Sequence, residues 1–325
     1  MPADVFHGAD CEIRIGRRAN ATTAPAAGVW QAIEFMQLTV NPTQEWRERP
    51  KLGVAGKRVN TLDPIEPRKA FLRITAELVI DLDSRQLPIW LRHALGAPAA
   101  AVENGDLYDH VWASGSKTEM YFDLQVKIGA NDVRIFEGLT LASLGGSVAG
   151  ENTQDFDGNI SLRGLSRRKV NAFEGDAPIA CPAEAPMLRA QYLVDDVAAD
   201  NTLSANFSWN RNLSEGLFLS ETATISSNRP NAGASHTMSA SFRAIGEAFD
   251  DIEVDETVFA ASIQYLGVED DHRIRIEQPN SMLAPSSLQI SGPGMLERTF
   301  NSSGHQTSSV AATVITVTND VAAYV

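Results

Sequence analysis

The residues of this chain with the widest chemical range are its six histidines, two cysteines and 41 carboxylates, and their spacing assembles no reaction centre. His7, His93, His110, His236, His272 and His305 are scattered. No two lie four apart, the spacing that turns a pair of imidazoles on a helix toward one metal. Cys11 and Cys181 are too few for a disulfide framework and stand in no metal-ligand spacing, so both read as free thiols. The run Asp250-Asp251-Ile252-Glu253-Val254-Asp255-Glu256 gathers hard oxygen donors, but its order is not that of an EF-hand loop, and it reads as a solvated acidic turn. Glu269-Asp270-Asp271 reads the same way. Two carboxylates facing a cleft could hydrolyse a glycoside, with Trp30, Trp46, Trp90, Trp112 and Trp209 as a sugar platform, yet packing is the commoner use of such aromatics. No glycine-rich phosphate loop opens a helix, and Gly145-Gly146 and Gly292-Pro293-Gly294 read as turns. The expectation is a chain that is not an enzyme, with no catalytic residue, no metal ligand and no cofactor.

The net charge of −14 sits mostly in the second half. Residues 176–325 hold 7 Lys and Arg against 19 Asp and Glu, whereas residues 1–175 hold 20 against 22. An acidic surface repels phosphate, which disfavours tight nucleic-acid binding and suits a surface that DNA passes without sticking. No apolar run reaches the roughly 20 residues of a membrane helix. The first residues lack a basic stretch followed by an apolar one, so a protein made in the cytoplasm, with no membrane contact, is expected.

Whatever surface functions here must be positioned by strands. Ala70, Leu72, Ile74, Ala76, Leu78, Ile80 and Leu82 are apolar, with Arg73, Thr75, Glu77 and Asp81 between them. Met120, Phe122, Leu124, Val126 and Ile128 alternate with Glu119, Tyr121, Asp123, Gln125 and Lys127. Period two puts each apolar set on one face of a half-buried strand. Residues 12–15 and 29–40 read as earlier strands, and a hairpin is expected over 129–132. Residues 42–69 form a long basic excursion, broken by Pro50, Pro64 and Pro67. Leu87, Trp90, Leu91, Ala94 and Leu95 have helical spacing and predict one helix over 84–95, with Asp83 or Ser84 as its cap and Gly96 as its stop.

The second half repeats the plan more weakly. Leu203, Ala205, Phe207 and Trp209 alternate with Ser and Asn; residues 235–246 answer 69–80, 259–266 answer 119–126, and 273–277 answer 134–136. The length favours two domains. The expected organisation is a first β-domain over 1–175, a linker over 176–200 and an acidic second β-domain over 201–325, a divergent copy of the first.

The order of these features resembles the tail tube (major tail) proteins of long, non-contractile-tailed bacteriophages. The resemblance rests on the long loop between strands, the helix Leu87-Pro88-Ile89-Trp90-Leu91-Arg92-His93-Ala94-Leu95-Gly96, then Tyr108-Asp109-His110, then Phe136-Glu137-Gly138-Leu139 in a hairpin. It covers residues 8–175 best and the second half less specifically. It implies an all-β fold with a flanking helix: two tandem tail-tube-type β-sandwich or half-barrel domains that close into a ring by inter-subunit edge pairing. It also implies a structural virion protein whose stacked rings form a hollow tube conducting DNA from capsid to host. Two tube domains per chain imply a trimer with pseudo-sixfold symmetry in preference to a hexamer with the second half outside. The implied partners are other copies of the chain, the tape measure protein, the tail terminator and distal tail proteins, and phage DNA passing non-specifically through the lumen. A carbohydrate-binding sandwich at the tail tip is the alternative reading.

Physical reasoning points the same way, since an open sandwich exposes strand edges that a closed ring would pair. Under the resemblance, residues 42–69 are the inter-ring contact loop. Arg47, Arg49, Lys51, Lys57 and Arg58 would meet Asp250, Asp251, Glu253, Asp255 and Glu256, as a network, because single surface ion pairs contribute only about 0–1 kcal/mol. An acidic and small-polar lumen would let DNA slide, and Glu77, Asp81, Glu119 and Asp123 are the candidates to line it.

Overall fold

The alternation over residues 70–82 forms a strand with a dry face and a wet one. Ile74, Ala76, Leu78 and Ile80 are buried, while Thr75 and Glu77 are exposed. The computed structural model describes residues 11–21, 23–25, 30–47, 68–99, 101–115, 119–129, 131–149, 156–199, 201–216, 227–230, 233–243, 252, 256–267, 271–285 and 297–324. The first half runs β1 (Cys11–Arg18), β2 (Trp30–Ile33), β3 (Gln37–Arg47), β4 (Arg68–Asp81), α1 (Leu87–Leu95), β5 (Val102–Asn104), β6 (Leu107–Ala113), β7 (Tyr121–Ile128), β8 (Val133–Ala149), β9 (Asp157–Gly164) and β10 (Ser166–Val170). The second runs β11 (Met187–Val194), β12 (Val197–Ala198), β13 (Thr202–Asn210), β14 (Leu213–Gly216), β15 (Ser227–Pro230), β16 (Ser235–Arg243), β17 (Phe259–Gly267), β18 (Arg273–Leu283), β19 (Glu297–Gly304) and β20 (Val314–Asn319). The chain is all-β; among the described residues there is one flanking helix, and the sheets do not close into a barrel.

Two units share one wiring. In the first, β1 pairs with β2 and β7, β7 with β8, β8 with β9 and β10, and β4 with β3 and β9. In the second, β11 pairs with β12 and β17, β17 with β18, β18 with β19 and β20, and β16 with β13 and β19. Every pairing is antiparallel and the order along the chain is the same, which is the signature of an internal repeat. The insertions differ: α1, β5 and β6 stand between β4 and β7, while the hairpin β14–β15 stands between β13 and β16. β11 and β12 fall within 176–200, where the sequence suggested a linker, and they open the second unit.

β8 ties the structure together. Its first part, up to Leu139, pairs with β7 and β10, and its later part, from Thr140, pairs with β9. The strand bends at Gly138, whose φ is 61°, opposite a register shift between Phe122 and Leu124. Beyond the bend, Ser143–Ala149 pair with β13 of the second unit. Gly145 and Gly146, which read as a turn in the sequence, therefore lie in mid-strand. They are small because β13 presses on them: a Cβ at Gly146 would sit 2.6 Å from the Phe207 ring. A second tie runs between β6 and β20, and one hydrophobic core passes through both units.

The helix keeps its expected stop but starts at Leu87 rather than at 84, with Gln86 in the N-cap position and no side-chain cap, because the chain turns over residues 84–86 first. Pro88 sits in the first turn and Gly96, at φ 100°, ends it. Asp83 Oδ1 accepts the backbone N–H groups of Arg85 (2.7 Å) and Gln86 (2.9 Å), whereas Ser84 turns to His272, 2.9 Å from its Nδ1. Of the predicted stripe α1 buries Leu87, Trp90, Leu91 and Ala94 and leaves Leu95 half-buried, and it also buries Pro88, Ile89 and His93, because it packs on β6 and β7. His93 is 4% exposed, its Nδ1 lies 2.8 Å from the Ile89 carbonyl, and burial holds its pKa at about 4. A base depressed in the folded state keeps its full stability above the unfolded value near 6.5 and loses it as pH falls toward the folded one. We expect about 2 kcal/mol to be lost between pH 7 and pH 5 from this group. A denaturant midpoint that moves equally with pH in His93→Gln and in the parent would show that the loss lies elsewhere.

Candidate assembly interface

One sheet layer crosses both units in the order β3-β4-β9-β8-β13-β16-β19-β18. The register lays side chains in rows across it. One row reads Gln37, Val79, Asn159, Gly145, Ser208, Thr237, Ser303, and the next reads Thr39, Glu77, Ser161, Ser143, Asn210, Ser235. Glu77 is the one charge in these two rows. The opposite face of the same strands holds Leu78, Ile160, Leu144, Phe207, Met238 and Phe300, all buried. Alternation over seven strands has thus produced a broad surface of small hydroxyls and amides.

The candidate lumen residues fall in different places. Glu77 is exposed in the middle of the polar layer. Asp81 is half-buried at the end of β4, opposite Asp157. Glu119 lies ahead of β7, outside this layer, and accepts a hydrogen bond from the Tyr121 hydroxyl. Asp123 is 2% exposed and pairs with Arg18 at 2.5 Å. The polar side of β7 is covered rather than wet: Gln125 Oε1 accepts from Arg14 Nη2 at 2.8 Å and from the Glu174 N–H at 3.0 Å. Apart from Glu77, the residues that make the polar layer are not among the candidates; their signal is the Ser and Asn that alternate with Ala205, Phe207 and Trp209.

The layer has open ends. β3 pairs with β4 alone among the described residues, and its Leu38, Val40 and Pro42 are only half-buried. At the far end, Met282 and Leu283 of β18 pair with β19 alone among the described residues, and Met282 is 40% exposed. Unpaired borders of this kind are templates for another strand.

Of the proposed contact loop, Arg47 closes β3, and Arg49, Lys51, Lys57 and Arg58 lie outside the described residues. Asp250, Asp251, Glu253 and Asp255 also lie outside them, while Glu256 is exposed in a turn at φ 51°. The hairpin β14–β15 stands in the second unit where that loop stands in the first. It leans on the first unit: Glu215 takes both carboxylate contacts from Arg73 Nε at 2.8 Å, and Arg163 Nη1 donates to the Leu213 carbonyl at 2.8 Å.

Among the described residues no three His, Cys, Asp or Glu side chains gather as a metal site. Burial and Glu34 push the Cys181 thiol up to about 12, so it is not a thiolate at neutral pH. No helix among them is long and apolar enough to cross a membrane. In comparisons with known proteins, the family model described as "Phage tail tube protein" matches residues 8–304. No curated protein matches the chain.

Proposed function

Because the chain belongs to the phage tail tube protein family, and so is a structural protein of the virion tail, we propose that three copies close head to tail into a ring with pseudo-sixfold symmetry. Stacked rings then form the conduit for DNA. The observation that carries this reading is the β8–β13 seam. β3 is the counterpart of β13, and β18 is the counterpart of β8. Laying the β18 border of one copy along β3 of the next repeats the seam already present within each chain. A head-to-tail contact of this kind generates a ring when its rotation closes.

The polar layer supports the assignment of the inner wall. DNA carries about one negative charge per 1.7 Å of axis, and cationic side chains would hold it. The two rows of Ser, Thr and Asn with the single charge of Glu77 offer no such brake, and the cations that follow on the same face, Arg163 and Arg73, are engaged by the β14–β15 hairpin through the Leu213 carbonyl and Glu215. Residues 48–67, longer than the 217–226 that join β14 to β15, extend toward the neighbouring ring in this reading, carrying Arg49, Lys51, Lys57 and Arg58.

The test is a proline on the open border. Pro42 already lacks its N–H within β3 while the strand still pairs with β4, so Val40, two residues away, presents its N–H on the same side. We expect Val40→Pro to keep the fold, read by circular dichroism, and to abolish rings in negative-stain micrographs. The parent should give rings with the mass of three 35.1 kDa chains. Rings of six chains would sink the trimer, and rings from Val40→Pro would sink the edge pairing. In the same micrographs, a chain lacking residues 51–58 should form rings that do not stack.

A further inference from the structure

We propose that the groove between β3 and β10 receives the acidic stretch between β16 and β17 of a second copy of this chain. The inference rests on the ring reading above and adds to it which surfaces meet at the intermolecular seam.

The second unit displays the same groove already filled. On β13, Ala205, Phe207 and Trp209 are at most 5% exposed, and on β20, Ile315 and Val317 are at most 2% exposed. They are covered because the first unit lays β8 along β13 and β6 along β20. Among the described residues, no strand pairs along the corresponding border of the first unit. A groove of about 690 Å³ has an apolar floor that includes Leu38, Val40 and Phe136, and a rim of Arg134, Arg167, Arg168 and Lys169.

The wiring says what belongs there. In the filled case, the covering element β6 comes from the insertion between β4 and β7 of the adjoining unit. The stretch in the same place of the second unit, between β16 and β17, is residues 244–258. By sequence it holds Glu247, Asp250, Asp251, Glu253, Asp255 and Glu256 with no Lys or Arg. Acid on the insertion and base on the receiving unit is also the polarity of one contact within the chain: Asp109 of β6 lies 3.8 Å from Arg273, the first residue of β18.

The rim is not fully neutralised by its own chain. Arg168 pairs with Glu137 and Glu174, and Lys169 and Arg134 share Asp132. Arg167 has no ion-pair partner among the described residues. Arg134, Arg168 and Lys169 remain 53%, 41% and 62% exposed, with room for a further partner. Such charges contribute mainly specificity and encounter rate, and the apolar floor adds contact area. They also reject the wrong order, since two acidic second units facing each other repel.

The experiment reverses the rim with Arg167→Glu and Lys169→Glu in the full chain. We expect a protein that melts like the parent and forms no rings. Adding Asp250→Lys and Asp251→Lys to that chain should restore them. The neutral pair Arg167→Gln with Lys169→Gln should raise the concentration needed for rings roughly tenfold, a change of about 1.4 kcal/mol. Rings from the reversed chain equal to those of the parent would overturn this inference and leave the ring reading intact. Rings lost and not restored by the swap would overturn the assignment to the acidic stretch. A parent that stays a single particle would overturn both.

Discussion

Gly146→Leu should lose about 3 kcal/mol of stability, the upper part of the range for overpacking a closed core. A Cβ there would meet the Phe207 ring at 2.6 and 3.2 Å and the Asp157 carbonyl at 3.4 Å. Phe207 is 5% exposed and pairs directly across from Gly146, so it has no solvent to swing into. The side chain must push β13 away from β8, which opens the only strand ladder joining the sheet layer of one unit to the other among the described residues. Gly233→Ala is the control, since a Cβ there meets nothing within 4 Å. The check is urea unfolding of both variants. An unchanged midpoint for Gly146→Leu would mean that the seam yields freely and does not hold the units together.

Arg18→Met should cost about 3–5 kcal/mol, because it leaves Asp123 buried without its partner. Arg18 and Asp123 are 8% and 2% exposed and meet at 2.5 Å. Burial raises the Asp123 pKa, and the Arg18 guanidinium and the Gly138 N–H recover only part of that cost. A carboxyl raised in the folded state gives its stability below its ordinary range and loses it as pH rises through the raised value. The ion pair is therefore a net expense at neutral pH. What it secures is geometry: Asp123 Oδ1 accepts the Gly138 N–H at 2.9 Å at the bend of β8, and Arg18 Nη1 donates to the Ala21 carbonyl at 2.7 Å. Two consequences follow for denaturant unfolding. The penalty of Arg18→Met should shrink as pH is lowered and Asp123 takes up its proton. The double variant Arg18→Met with Asp123→Asn, which keeps the acceptor for Gly138, should return to within about 1.5 kcal/mol of the parent. A single variant as stable as the parent at pH 7 would refute the argument.

Much of the fold is legible in the sequence where one residue's fate depends on its near neighbours. Ile74, Ala76, Leu78 and Ile80 must share a face because strands have period two, and Leu87, Trp90, Leu91 and Ala94 must share one because helices have period 3.6. The parallel order of strands is legible too, since the expected stretches from 235, 259 and 273 begin β16, β17 and β18, which pair with one another's neighbours as β4, β7 and β8 do. What escapes is decided by distant chain. Gly145-Gly146 signals a turn locally, and only the approach of Phe207 makes it mid-strand. Asp123 looks solvent-facing until Arg14, Arg18 and residues 173–176 cover that side of β7. β11 hides because Met187–Val194 does not alternate cleanly: it pairs with β17 on a partly exposed border. The candidate surface was half legible. Its charge asymmetry is plain in composition, but its wall of Ser, Thr and Asn emerges only when seven strands from two units are set in register.

The β8–β13 seam has a thermodynamic corollary for any ring these molecules build. Bringing separate bodies together costs an estimated 4–15 kcal/mol of translational and rotational freedom at each encounter. A seam whose two strands share one backbone is exempt, since its partners are held at high effective concentration by the tether. Every second joint thus arrives preassembled with the polypeptide, and the onset of polymerisation is governed by the untethered joint alone.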